Sequence, residues 1–461
     1  MTDAQPSPAS FRDPSGFLFE RGGQLYRQVN EIYRGHYDKL IESGLYRDLS
    51  EAGLLIPHEE VEEAPCYAPT AYKVLKPERV PFVSYPYEWC FSALKDAAML
   101  TLAVHKRALK FGMALKDASA YNVQFPAGKP VFIDTLSFEA FREGAPWVAY
   151  RQFCRHFLAP LALMSLLDVR LNELCRTNLE GIPLDLASRL LPWRSRLRFS
   201  LLLHIHMHAG AERQFAPRSE APRKGTFSKR SMLGLIENLE SALRGLNWQA
   251  GGSEWSSYQQ DRHYSEESAT QKRALVDEFI GRIQPTTVWD LGANVGEFSQ
   301  LASARGCQTI AFDADPACVE LAYQSTRKQG ETRILPLLMD LLNPSPAQGW
   351  CSRERMSLLE RGPADAVLAL ALIHHLAIGG NLPLRSIAEF FQRMSRWLVI
   401  EFVPKTDPQA QRLLVVREDI FSDYEQDVFE RVFRELFLIM RSEKIVGSDR
   451  TLYLMRRRET A

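Results

Sequence analysis

The segment Asp290-Leu-Gly292-Ala-Asn-Val-Gly296 sets a carboxylate immediately ahead of a turn with two glycines, and the residues leading into it, Thr287-Val-Trp, favour a β-strand. The spacing predicts a strand carrying Asp290 at its carboxyl end, a turn where Gly292 and Gly296 allow close backbone approach, and a helix from about Glu297. Turns of this kind serve nucleotide-like ligands. The pyrophosphate-binding version needs G-x-G-x-x-G before a helix N-terminus. Here the order is D-x-G-x-x-x-G, and Asp290 repels an anion while attracting a cationic or amino-bearing group.

Other acids close other apolar runs. Gln308-Thr-Ile-Ala-Phe312 predicts a second strand ending at Asp313-Ala314, followed by a helix with Asp315 as N-cap and Pro316 in its first turn. A carboxylate there offers two acceptor oxygens to a ribose diol. Ile334 to Met339 predicts a third strand ending at Asp340-Leu341, although Pro336 weakens it. Ala364 to Ala371, apolar on both faces and including Leu370, reads as a central parallel strand that leads into Leu372-Ile-His374-His375-Leu376. Arg396 to Pro404 supplies a fifth strand with Glu401, before a helix from about Pro408. Phe437 onward and Thr451 to Met455 form a terminal hairpin about Gly447-Ser-Asp, and Arg456, Arg457 and Arg458 read as a solvated tail.

This series resembles the class I S-adenosylmethionine-dependent methyltransferases, whose first motif is usually D-x-G-x-G-x-G, with Asn294 at the middle glycine. The resemblance covers residues 255–461 and implies an α/β, Rossmann-like seven-stranded sheet with S-adenosylmethionine as cofactor. It places the turn of Gly292, Ala293, Asn294 and Gly296 under the methionine part, and Asp290 near its amino group. Asp313 and Ala314 fall at the ribose, Asp340 at the adenine amino group with Leu341 on the ring, and Leu370 completes the lining. His374-His375-Leu376 is similar to the fourth motif of small-molecule and lipid methyltransferases. An imidazole there takes a proton from an attacking hydroxyl or amine, or else one histidine caps the next helix and the other packs on the cofactor. Glu401 either faces the substrate or pairs with a cation. In-line methyl transfer needs alignment more than a nucleophile or metal, so the base is dispensable in principle.

Residues 1–250 read as a large α+β accessory domain that recognises the acceptor. Residues 16–29 predict a hairpin about Gly22-Gly23, followed by helix to about Leu55, a strand at Ala71 to Leu75 and a long helix from about Ser92 to Phe111. Then comes Asp117-x-x-x-x-Asn122, a short hairpin and Ile133-Asp134. That spacing resembles protein kinases and small-molecule phosphotransferases, in which it implies a catalytic aspartate and two metal-binding side chains. No histidine or arginine precedes Asp117, Thr135-Leu136 stands where kinases often carry Phe-Gly, and no glycine-rich phosphate loop is evident, with Lys73 and Lys76 the available lysines. A kinase-like remnant used for binding, an active phosphotransferase and an unrelated helical domain all remain open.

Residues 151–248 read as largely helical, with an exposed basic, proline-bearing loop near 216–230. His204, His206 and His208 lack a carboxylate or cysteine spacing to complete a metal site, which favours a packed helix. Residues 248–257 read as the junction, and 258–272 as a helix in which His263 and Tyr264 cover the cofactor.

With 56 basic and 56 acidic residues the chain has no global bias toward nucleic acid. Its seven cysteines contain no C-x-x-C pair and read as reduced core thiols. The N-terminus lacks the basic and apolar blocks of a secretory signal, and the longest apolar stretch, 157–167, is too short to span a bilayer, so the expectation is a cytoplasmic protein without a membrane partner. An accessory region followed by such a methyltransferase also resembles bacterial proteins grouped with the nodulation protein NoeA, which implies a glycan or small-metabolite acceptor. The alternatives are an RNA or other nucleic-acid methyltransferase and a bifunctional protein with a kinase-like ATP-binding domain.

Overall fold

Every apolar run that ends in an acid in the second half of the chain becomes a strand of one sheet. The computed structural model describes residues 5–61, 67–208, 228–251, 265–415 and 418–459, so His263, Tyr264 and most of the basic loop lie outside the described residues. The chain divides into two compact units, Met1–Gln249 with Gln348–Arg355, and Ala250–Ala347 with Met356–Ala461.

In the first unit, β1 (Gln5–Pro6), β2 (Gly16–Arg21), β3 (Gln24–Asn30), β4 (His58–Glu60) and β5 (Ala71–Pro77) form a sheet in the order β1-β2-β3-β5-β4. Its pairings are all antiparallel, and Gly22 and Gly23 turn the β2–β3 hairpin with positive φ. The helix Phe91–Lys110 buries a continuous apolar stripe and precedes two small antiparallel pairs. In these, β6 (Met113–Leu115) pairs with β9 (Phe138–Ala140), and β7 (Val123–Gln124) with β8 (Val131–Phe132). Helices dominate the remainder of the unit.

One boundary needs correction. Residues 348–355, which the sequence assigns to the second domain, belong to the first unit. Glu354 is buried there and pairs with Arg12 at 2.7 Å, the Arg355 guanidinium lies 4.1 Å from the Tyr121 ring centroid, and Gln348 Nε2 donates to the Arg176 carbonyl at 2.8 Å. None of these partners is close in sequence.

In the second unit, β10 (Thr287–Leu291), β11 (Gln308–Asp313), β12 (Ile334–Leu338), β13 (Ala364–Ala369), β14 (Ser395–Phe402), β15 (Phe437–Lys444) and β16 (Thr451–Arg457) form a seven-stranded sheet. Its order is β12-β11-β10-β13-β14-β16-β15. The first five strands pair in parallel; β16 pairs antiparallel with both β14 and β15. Pro336 is accommodated because β12 is an edge strand, so its missing N–H breaks no second ladder. The helix before β10 runs Glu266–Ile283, later than its sequence-based placement, and packs Val276, Phe279 and Ile280 on Val288, Leu368 and Val399. Arg456 and Arg457 lie within β16, and Arg456 sits over the Trp397 ring, so these arginines close a strand rather than form a tail, although Arg456 and Arg458 are exposed as expected.

The strand order reverses at β10, with β11 on one side and β13 on the other. In open parallel sheets the crevice beyond the strand carboxyl ends at such a reversal is where ligands bind. Leu368, fully buried at the centre of this sheet, is its packing keystone. Leu368→Ala is expected to cost about 2–5 kcal/mol in urea unfolding of the second unit; a loss below about 1 kcal/mol would contradict this packing.

Candidate functional site

The turn after β10 takes the left-handed conformation at alternate residues: Gly292 has φ 72, Asn294 φ 51 and Gly296 φ 86. Asn tolerates that region better than other residues bearing a β-carbon, which explains its presence at the middle position. The turn is pinned to β11 by Gly292 N and Ala293 N, which both donate to the Phe312 carbonyl at 2.9 Å, and by Asn294 N, which donates to Asp313 Oδ2 at 2.7 Å. A β-carbon on Gly292 would sit 3.4 Å from Leu372 Cδ1, so the Leu372 side chain bounds the space over the turn that a side chain at 292 would enter.

Asp290 is buried and accepts a hydrogen bond from Ser299 Oγ at 2.7 Å. Burial pushes its carboxyl pKa up to about 6; the Ser299 bond opposes the rise and the Asp313 charge adds to it. Asp313 is half-buried, accepts Asp315 N through Oδ1 at 2.8 Å, and is also raised by burial. Asp315 caps the helix Pro316–Gln329 through the Ala317 N–H at 2.8 Å. Two adjacent carboxylates, both held toward neutrality by desolvation, make an environment that a cationic ligand stabilises. Asp340 is exposed beyond β12 and accepts the Leu342 N–H at 2.9 Å, with Leu341 half-buried and Ala314 exposed, while Ala293 and Leu370 are buried.

His374 and His375 lie side by side with ring centroids 4.1 Å apart. His374 is 1% exposed, and neither of its ring nitrogens has a hydrogen-bond partner among the described residues. Burial, reinforced by His375, Arg450 and Lys272, holds its pKa well below the usual imidazole range. His375 is half-buried and lowered by burial and by Arg450. Both rings are therefore neutral near pH 7.

Glu401 requires correction as a substrate-facing group. It is fully buried, its Oε2 accepts Lys272 Nζ and Ala371 N at 2.7 Å each, and its Oε1 lies 3.6 Å from Arg450 Nη1. It is an internal anchor. Lys272 and Arg450 were not legible in the sequence, because their polar neighbours, Gln271 and Arg273, Asp449 and Thr451, give no sign that they turn inward. The sequence reading also missed Ser299, whose signal was its place in the first turn of the helix Glu297–Ala304.

In the first unit the structure brings Asp117, Asn122 and Asp134 to one loop cluster. Asp117 is raised by burial and by the Asp134 charge, and Asn122 Nδ2 donates to Ser137 Oγ at 3.2 Å. Asp134 pairs with Arg27 at 2.6 Å and accepts the Ser137 hydroxyl. Lys73 and Lys76 pair with Glu60 and Glu59 respectively. His204 bonds Tyr150 and Asn238, and His206 bonds Ser188 and Ser195, in a widened helical turn, Leu202–Met207. Cys351 is exposed, unlike the buried Cys90, Cys154, Cys175, Cys307 and Cys318. No helix among the described residues is long and apolar enough to cross a membrane.

No protein-family model matches the chain. The nodulation protein NoeA of Rhizobium meliloti (strain 1021) is 35% identical over 471 residues, spanning 100% of this chain and 98% of that one. Among solved structures, the N-methyltransferase NodS from Bradyrhizobium japonicum WM9 aligns over 42% of this chain and 99% of its own, at 14% identity and a TM-score of 0.32. The magnesium protoporphyrin IX methyltransferase ChlM from Synechocystis PCC 6803, with bound SAH, aligns over 41% and 84%, at 18% identity and a TM-score of 0.29. The bifunctional kinase-methyltransferase WbdD aligns over 43% and 41%, at 12% identity and a TM-score of 0.30. At these scores none of the structural likenesses carries an argument about a residue or a substrate.

The left-handed Asn294 yields a direct test. Asn294→Gly is expected to preserve thermal stability, whereas Asn294→Val, β-branched in the same conformation, is expected to cost about 1–2 kcal/mol. Equal melting of the two variants would contradict this turn geometry.

Proposed function

The chain belongs to the family of the nodulation protein NoeA, and from that premise we propose that its second unit transfers a methyl group from S-adenosylmethionine to an oxygen or nitrogen of a small metabolite or glycan-like acceptor. The observation that carries the reading is the left-handed turn at Gly292, Asn294 and Gly296, set between buried Asp290 and the Asp313 carboxylate where the strand order reverses. The residues present fit the cofactor: the turn exposes no side chain at Gly292, the acids favour a sulfonium and an ammonium, and Asp313 retains lone pairs for ribose hydroxyls.

Asp290 and the turn orient the amino-acid end, and Asp313 orients the nucleoside. Ala314, Asp340 and Leu341 bound the adenine side, and Ala293 and Leu370 line the floor. Once bound, S-adenosylmethionine supplies an electrophilic methyl group that needs no metal activation. His375, the more exposed of the two rings, receives the proton that an acceptor hydroxyl or amine gives up as its lone pair forms the new bond to carbon. His374, buried beside it and neutral, has two ring nitrogens without a hydrogen-bond partner among the described residues.

A second reading concerns the first unit. The assembly of Asp117, Asn122 and Asp134 after a five-stranded antiparallel sheet supports a kinase-like fold used for binding, with Arg27 occupying the Asp134 carboxylate. Titration calorimetry with ATP and magnesium, and then with Asp134→Asn, tests it; ATP heat that is undiminished by the substitution would contradict a role for this cluster.

Calorimetry with S-adenosylmethionine tests the first reading. Gly292→Val and Asp313→Ala are each expected to weaken binding at least about tenfold, the loss of roughly one charge-assisted contact or more. Undiminished binding in both would contradict the site. The affinity has a pH sign as well. Because the Asp290 carboxylate favours the cation and its protonated form does not, binding is expected to hold above about pH 6 and to weaken as pH falls through it. The same titration at a series of pH values checks this, and a flat profile from pH 5 to 8 would count against Asp290.

A further inference from the structure

Ala371 adopts φ 49 between the end of β13 and the His374-His375 pair. A residue with a β-carbon is strained there, and such strain persists where the surroundings over-determine the backbone. The surroundings here are ionic. Ala371 N donates to Glu401 Oε2 at 2.7 Å, and Lys272 Nζ donates to the same oxygen at 2.7 Å. Arg450 approaches Glu401 Oε1 at 3.6 Å and is itself held by Asp407 through bonds of 2.6 and 2.9 Å. Lys272, Glu401, Arg450 and Asp407 are all buried. Leu372, the next residue, meets the Gly292 turn, so the segment launched from Ala371 reaches the cofactor turn first and the histidine pair immediately after.

We propose that Glu401 is a positioning residue: its carboxyl group straps the Ala371 peptide in the left-handed conformation, which fixes where Leu372 meets the Gly292 turn and where His374 and His375 face the acceptor. Lys272 and Arg450 fix the carboxyl group in turn, one from the helix before β10 and one from the residue that precedes β16. The placement of the histidines toward an acceptor rests on the methyltransferase reading; the strap itself does not. A role confined to ion pairing would leave the Ala371 backbone indifferent to Glu401, and that difference is measurable.

The experiment compares the full-length protein with Glu401→Gln and with Glu401→Gln combined with Ala371→Gly. S-adenosylmethionine affinity and the ring signals of isotopically labelled histidine are read in each. Glu401→Gln is expected to weaken S-adenosylmethionine about tenfold, equivalent to about 1.4 kcal/mol, and to shift the His374 and His375 signals. Ala371→Gly in the same chain is expected to recover part of both, because glycine takes the left-handed conformation without a strap. No loss in Glu401→Gln, or a loss that glycine leaves untouched, overturns the proposal. Should the variants fail to fold, amide hydrogen exchange in the unaltered protein decides: protection of Ala371 comparable to β13 supports the strap, and exchange as fast as an exposed loop overturns it. If the unaltered protein binds no S-adenosylmethionine, the methyltransferase reading falls, while the exchange and histidine signals still judge Glu401.

Discussion

Four charged side chains with almost no exposed surface, Lys272, Glu401, Arg450 and Asp407, hold the second unit in register. Taking each such ion out of water costs several kcal/mol, and removing one partner from a buried pair costs roughly 3–5 kcal/mol because the other is stranded. The cost is tolerable only with the hydrogen bonds nearly all made, and here they are made across distant parts of the chain. Lys272 comes from the helix before β10, Glu401 from β14, Arg450 from the approach to β16, and Asp407 from the N-cap of the helix Pro408–Leu414. The network ties the antiparallel end of the sheet to its parallel centre, and through Ala371 it reaches the edge where the histidines stand.

The cofactor side is governed by a different economy, that of backbone conformation and desolvated acids. Three left-handed positions within five residues would be prohibitive for most sequences; Gly292, Asn294 and Gly296 make them possible. The same turn brings amide groups onto Phe312 and Asp313, so β10 and β11 are locked at their carboxyl ends. Asp290 is raised by burial and further by the Asp313 charge, and Asp313 is itself raised by burial, which leaves the site short of positive charge rather than negative. A sulfonium nucleoside answers that shortage; a pyrophosphate would worsen it.

Much of this was legible in the sequence because each core strand writes its own end: an apolar run closed by Asp290, Asp313 or Asp340, or by a histidine pair, needs no tertiary information. The hairpin at Gly22-Gly23 and the cap at Asp315 were legible for the same local reason. What stayed hidden depended on partners far away in the chain. Glu401 read as either facing the substrate or pairing with a cation, and nothing nearby announces that Lys272 and Arg450 are the cations. Residues 348–355 read as part of the second domain because Arg12, Tyr121 and Arg176, which engage them, lie far upstream. The arginines that close β16 resembled a tail until Trp397 was seen beneath Arg456.

The site as a whole is organised around where the nucleoside sits. A crystal structure of the full chain grown with S-adenosylhomocysteine tests this most directly. Ribose hydroxyls are expected within hydrogen-bond distance of Asp313, with the amino-acid end lying over Gly292 to Gly296. Density for the ligand elsewhere, with that turn empty, would contradict it.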